Sequence, residues 1–123
     1  MADLPLIDSE VLENLRSLGT GDFLERLIEL FLDTSVKTVH DAVAAAHVGN
    51  GAQAAFDAHN LRSSAGNLGL LALAEATHQV ENFRTADTAT MAARTDEMRR
   101  VYDKTVVELV AILDRLREAS RVS

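Results

Sequence analysis

Apolar residues recur at three- and four-residue spacing along almost the whole chain, and nowhere do they alternate strictly as a strand would. Leu4, Pro5, Leu6 and Ile7 form an apolar lead-in. Asp8-Ser9-Glu10 after it reads as an N-cap cluster, predicting a short helix to about Ser17 that Gly19 and Gly21 stop. Asp22 with Glu25 resembles a capping box. It opens a long helix over about 22–48, with Phe23, Leu27, Leu30, Phe31 and Thr34 and then Val36, Val39, Val43 and Ala46 along its apolar side. Thr34 and Ser35 are its weakest point, where a kink is expected if anywhere, and Gly49-Asn50-Gly51 ends it. A third helix spans about 51–65, with Gly66-Asn67-Leu68-Gly69 as its exit. A fourth covers about 70–84, with Leu70, Leu73, Ala74, Thr77, Val80 and either Glu81 or Phe83 along neighbouring faces. Thr85-Ala86-Asp87 is the next turn. The last helix runs over about 88–118 and carries Met91, Thr95, Met98, Tyr102, Thr105, Leu109, Ile112 and Leu116. Residues 119–123 have nothing to bury and are expected to fray.

Four long helices with short connections pack antiparallel with their neighbours. The expected fold is therefore all-α, an up-and-down four-helix bundle with a short extra N-terminal helix, in one domain over 1–123 with its core at about 8–118. Composition agrees: 47% of residues are hydrophobic but only 4% aromatic, which favours Ala- and Leu-rich helices over a β-sandwich. A net charge of −7 speaks against a nucleic-acid partner, and the absence of cysteine excludes disulfides and thiolate chemistry. No apolar run approaches the roughly 18 residues of a membrane span, so the expectation is a cytoplasmic protein without a membrane partner.

One stretch, "DAHNLRSSAGNLG" at 57–69, raises a chemical question. At about 100° per residue, Ala54, Ala58, Leu61, Ala65 and Leu68 form a coherent apolar stripe, and His59 lies roughly 140° from its middle. His59 therefore points outward. Its helical neighbours are Ala55, Arg62, Ser63 and Gly66, three of them very small and one a cation. A neutral imidazole is a good nucleophile near neutral pH. A phosphoryl group on it would bring charge that Arg62 can offset, and the small neighbours would let a partner's active site approach. The same spacing also fits an ordinary surface histidine beside a solvated arginine.

The stretch resembles the histidine-containing phosphotransfer (HPt) family, whose motif is of the type His-x-Leu-Lys-Gly-Ser-x-x-x-x-Gly. "HNLRSSAGNLG" matches in register at His59, Leu61, Ser64 and Gly69, and Arg62 stands conservatively for the lysine. "IDSEVLENL", "FLERLIELFLDTS" and "LALAEATHQVE" extend the likeness over nearly the whole chain. The resemblance implies a carrier that takes a phosphoryl group from one receiver-domain aspartate and passes it to another in a multistep phosphorelay. His59 would be the phosphoacceptor and Arg62 would steady the phosphoryl group. Glu81, where the family often has Gln or Glu, would orient the imidazole. Ala55, Ser63, Ser64, Gly66 and Gly69 would give clearance and a receiver docking surface. Response-regulator receivers, a hybrid histidine kinase, or both are the implied partners of a monomer. The receiver would bring a magnesium ion and most of the catalytic groups, so the chain would be a phosphocarrier with no cofactor or nucleotide site of its own. Ser63 departs from the family glycine: its hydroxymethyl would either narrow the clearance, slowing docking or restricting the choice of receiver, or hydrogen-bond the phosphoryl oxygens.

Other chemistry is thinly supported. His40 and His47 are seven residues apart, about 10 Å along a helix, too far to chelate one ion alone, so no metal site is expected. Met91 and Met98 read as core filler, and, by composition alone, Glu10, Glu13, Glu75 and Glu81 as solvated charges. The apolar lead-in with Leu12 and Leu15 either caps the open end of the bundle or leaves an exposed patch beside His59 for a receiver. Two further functions fit the same residues: a noncatalytic helical adaptor with an incidental histidine, or the phosphoacceptor module of a larger hybrid or chemotaxis-type kinase.

Overall fold

The computed structural model describes residues 4–19, 21–82 and 87–122, with the side chain of Val122 left aside. Among them there are five helices and no strand: α1 (Ser9–Leu18), α2 (Phe23–His47), α3 (Gly51–Asn67), α4 (Leu71–Asn82) and α5 (Thr88–Val122). Phe83 and the Thr85-Ala86 part of the predicted turn lie outside the described residues. α2 packs on α3 and α5, and α4 packs on the other sides of both, so the four long helices form an antiparallel bundle. One continuous apolar core draws on all five helices.

Local chemistry sets the helix ends. The Asp8 carboxylate accepts from the Glu10 N–H at 3.0 Å and starts α1. Gly19 ends α1 in an extended conformation rather than a left-handed one, and a Cβ there would collide with the side chain of Phe23. The predicted capping box does not form: Asp22 makes no side-chain cap and pairs with Arg26 at 3.5 Å, while Glu25 accepts from Ser120. Gly49 does take the left-handed conformation, at φ +84°, and Asn50 then caps α3 by accepting from the Gln53 N–H at 3.1 Å.

The apolar register of α2 differs from the predicted one. Its buried face is Leu24, Ile28, Phe31, Ser35, Val39, Ala42 and Ala46, whereas Leu30 and Val36 are about three-fifths exposed, at 59% and 60%. Phe31, Val39 and Ala46 belong to both stripes; Leu30 and Val36 lie instead on the face that carries Arg26, Glu29, Asp33 and Lys37, while the polar Ser35 takes a core position. α2 runs without interruption through Thr34 and Ser35. The Thr34 hydroxyl donates to the Leu30 carbonyl, while the buried Ser35 shares a 2.7 Å hydrogen bond with the Tyr102 hydroxyl of α5. Ser35 is thus an inter-helix tie.

α5 buries the predicted Met91, Thr95, Met98, Tyr102, Thr105 and Leu109, adds Leu113, and half-buries Ile112 and Leu116. Thr77, Thr95 and Thr105 are buried polar groups whose hydroxyls fold back onto carbonyls of their own helices at 2.7 to 3.1 Å. The helix continues beyond 118 to Val122. There Arg117 reaches Glu29 and the Ser120 hydroxyl donates to Glu25, each at 3.0 Å.

α1 closes the corner between α3 and α4. The Asp8 N–H donates to the Gly69 carbonyl at 2.8 Å, and the Ala72 N–H donates to the Pro5 carbonyl at 3.2 Å. Leu12 is buried, with Ile7 and Leu15 packed against the core. Of the two roles weighed for this segment, capping the bundle is the one these contacts support, and burial of Leu12 removes the centre of the alternative patch.

Candidate functional site

The core stripe of α3 falls where its spacing puts it: Ala54, Ala58, Leu61, Ala65 and Leu68 are all buried. This turns His59 out to solvent, with 65% of its side chain exposed. The sequence placed Glu81 near the imidazole only by resemblance, and α4 brings it there. His59 Nδ1 lies 3.1 Å from Glu81 Oε2, and the Arg62 guanidinium lies 3.5 Å from Glu81 Oε1. One carboxylate thus spans the imidazole and the guanidinium. It is also the least exposed of the three groups, which anchors the set to the bundle.

The geometry selects a tautomer. A carboxylate accepts, so the nitrogen facing it carries the proton: Nδ1–H donates to Glu81 and the Nε2 lone pair points away. Nε2 has no protein partner among the described residues, and it is the nitrogen available to an incoming electrophile. Arg62 is within reach of the same space, and its pair with Glu81 is long and half exposed, the kind of contact that exchanges readily.

The small residues around His59 divide into different roles. Ser63 is exposed, and its hydroxyl donates back to the His59 carbonyl at 3.4 Å, which folds it against the helix. Ser64 does the same to the Asn60 carbonyl. Gly66 is exposed with open space where a Cβ would be. Ala55 is buried, so it packs under the histidine and offers no outward clearance. Gly69 is buried at the α3–α4 corner, ten residues and about 15 Å along the axis from His59. There it takes φ +69°, and a Cβ would lie 2.7 Å from the Val11 Cβ. Its place in the motif reflects a turn that lets α1 approach, and it stands apart from the histidine.

The remaining histidines do not join this group. His47 Nε2 sits 2.9 Å from the Asp96 carboxylate of α5, and His40 is exposed. His78 is half-buried with Nδ1 unpartnered. Among the described residues no three potential ligands are grouped to hold a metal ion. On the other side of α3, Asp57 accepts from Gln53 at 3.1 Å through one oxygen and buries the other without a partner. Burial pushes its carboxyl above the ordinary range, with Asp41 adding repulsion. One large exposed neighbour of His59 along α3 was missed in the sequence. Phe56, three positions before His59 and on the same outward patch, is 53% exposed. The i−3 spacing was the available signal.

The Hpt domain family model matches residues 26–119, well over half of the chain and including the whole His59 motif. The chain belongs to the Hpt domain family. As such it is a histidine phosphotransfer protein of phosphorelays, a class that works with receiver domains and kinases. The fold is shared with the crystal structure of histidine-containing phosphotransfer protein B (HptB) from Pseudomonas aeruginosa PAO1. The two are 21% identical, with a TM-score of 0.81, over 92% of this chain and 98% of that one. Comparison with curated proteins gives no significant match. In this Hpt domain no helix among the described residues is long and apolar enough to cross a membrane.

Proposed function

We propose that His59 is the phosphoacceptor, receiving the phosphoryl group on Nε2 from a receiver aspartate and delivering it to the aspartate of a second receiver. The observation that supports this most strongly is the pairing of an exposed imidazole, held at Nδ1 by Glu81, with an unobstructed Nε2. In the accepting step the Nε2 lone pair attacks phosphorus. The N–P bond forms as the P–O bond to the partner's carboxylate breaks, and Asp leaves as a free carboxylate. Nδ1 keeps its proton and its hydrogen bond to Glu81, which holds the ring in one orientation through the transfer. Arg62 leaves Glu81 Oε1 for the phosphoryl oxygens, where a charge-assisted bond to a dianion is the stronger one. The return step reverses each movement.

This chain is then a carrier, with the phosphoryl donor, the acceptor and the magnesium chemistry all supplied by receivers. The reading places it in the cytoplasm as a monomer that meets one receiver at a time. The test is incubation with a phosphorylated receiver domain from the same genome, wild type against His59→Gln, followed by intact-mass measurement at neutral or basic pH. A gain of one phosphoryl group in the wild type, absent in the variant and lost on acidification, is the expected result. A variant labelled as well as the wild type would assign the phosphoacceptor elsewhere.

A further inference from the structure

Any partner that brings the phosphorus of an aspartyl phosphate to bonding distance of His59 Nε2 must also cover the helix surface one turn away. Residues three or four apart on a helix lie about 5–6 Å from each other between Cβ atoms. On the C-terminal side of His59 that surface is polar: Arg62 reaches toward Glu81, Ser63 folds against the backbone and Gly66 opens onto empty space. The N-terminal side carries Phe56, a large aromatic ring left 53% exposed on the outward patch of α3. The site is therefore lopsided along the helix, apolar before the histidine and polar after it.

From this asymmetry we infer that Phe56 is the docking and specificity residue for the receiver, seated against an apolar side chain beside the receiver's phosphorylated aspartate. The inference rests on the phosphotransfer reading of His59. Among the described residues Phe56 is the one exposed large apolar side chain on α3. Leu12 of α1 is buried, Ile7 and Leu15 pack on the core, and Val107 and Val110 lie on α5, which packs on α2 and α4 with little contact to α3. Docking removes the Phe56 ring from water while the chemistry proceeds one turn away. Buried aromatic anchors of this kind dominate interface energetics. A receiver with a carboxylate at that position would leave the charge against the ring face without water, so Phe56 discriminates among receivers as well as anchoring one.

The test compares wild type, Phe56→Ala and Phe56→Leu with two phosphoryl donors: a receiver domain charged by acetyl phosphate, and phosphoramidate. Phosphoramidate needs no docking surface: its P–N bond breaks, ammonia leaves and the phosphoryl group moves to the imidazole nitrogen. For Phe56→Ala the ratio of receiver-dependent to phosphoramidate-dependent rates should fall about tenfold, through a raised KM for the receiver, and Phe56→Leu should recover most of it. A ratio within about twofold of wild type in Phe56→Ala would overturn the assignment, as would equal losses toward both donors. If the wild type reacts with phosphoramidate but with no receiver, or His59→Gln reacts as well as the wild type, the functional reading fails and the assignment falls with it.

Discussion

Replacing Glu81 by alanine tests whether the carboxylate acts by orienting the imidazole. In the folded chain Nδ1–H is held at 3.1 Å by a carboxylate that is itself mostly covered, so the ring has one orientation with Nε2 outward. Without that acceptor the His59 side chain can spread over three χ1 wells and about two ring orientations, roughly six states. If one of them is productive, the loss is about RT ln 6, close to 1 kcal/mol. A partly exposed hydrogen bond of this kind has a net worth of the same size, about 1 kcal/mol. Single-turnover transfer from a phosphorylated receiver, followed by quench-flow, should therefore slow about five- to tenfold in Glu81→Ala. Glu81→Gln separates orientation from charge, because an amide oxygen still accepts from Nδ1–H. It should stay within about twofold of wild type if orientation is what matters. The reasoning is refuted if Glu81→Ala transfers as fast as wild type, or if Glu81→Gln falls as far as Glu81→Ala.

Three further outcomes follow from the packing. Gly69→Ala should cost about 2–4 kcal/mol, from the left-handed backbone and the collision with Val11, and lower the midpoint of a circular-dichroism melt. Its phosphoramidate labelling of His59 per folded molecule should hold, because Gly69 serves the corner and not the site. Tyr102→Phe leaves the buried Ser35 hydroxyl without its partner and should cost about 1 kcal/mol, roughly 4 °C in Tm, whereas Ser35→Ala with Tyr102→Phe should recover part of the loss in a double-mutant cycle. Asp57 has a folded pKa raised above its ordinary 3.8, so the folded chain holds the proton more tightly than the unfolded one. Stability is lost as pH rises from that value through the folded pKa. Asp57→Asn should accordingly raise Tm at pH 7, with the gain shrinking as the pH is taken below 3.8, as calorimetry across pH would show.

What the sequence reveals depends on how unambiguous each helix face is. α3 is legible because Ala54, Ala58, Leu61, Ala65 and Leu68 make one narrow stripe and leave polar residues on most of the rest, so the outward direction of His59 follows from spacing alone. α2 has a charged face opposite its buried stripe, but Leu30 and Val36 lie on that charged face and pull an apolar count off register, while the Tyr102 hydroxyl makes a core position of the polar Ser35. Contacts between helices, such as Glu81 with His59 and His47 with Asp96, depend on the relative height of two elements, which no single-helix pattern contains. The role of Gly69 depends on a backbone angle and on Val11 crossing overhead. Phe56 was within reach of the sequence, since the wheel that selects Ala55, Arg62, Ser63 and Gly66 places it one turn before His59. Its size, set against small neighbours, is what carries the information.

The most direct test of the account is to phosphorylate the nitrogen-15-labelled protein with a receiver and identify the modified atom by phosphorus–nitrogen and long-range proton–nitrogen NMR. The account predicts one phosphoryl group, on Nε2 of His59, with Nδ1 still protonated against Glu81. A phosphoryl group on Nδ1, or on any residue other than His59, would contradict it.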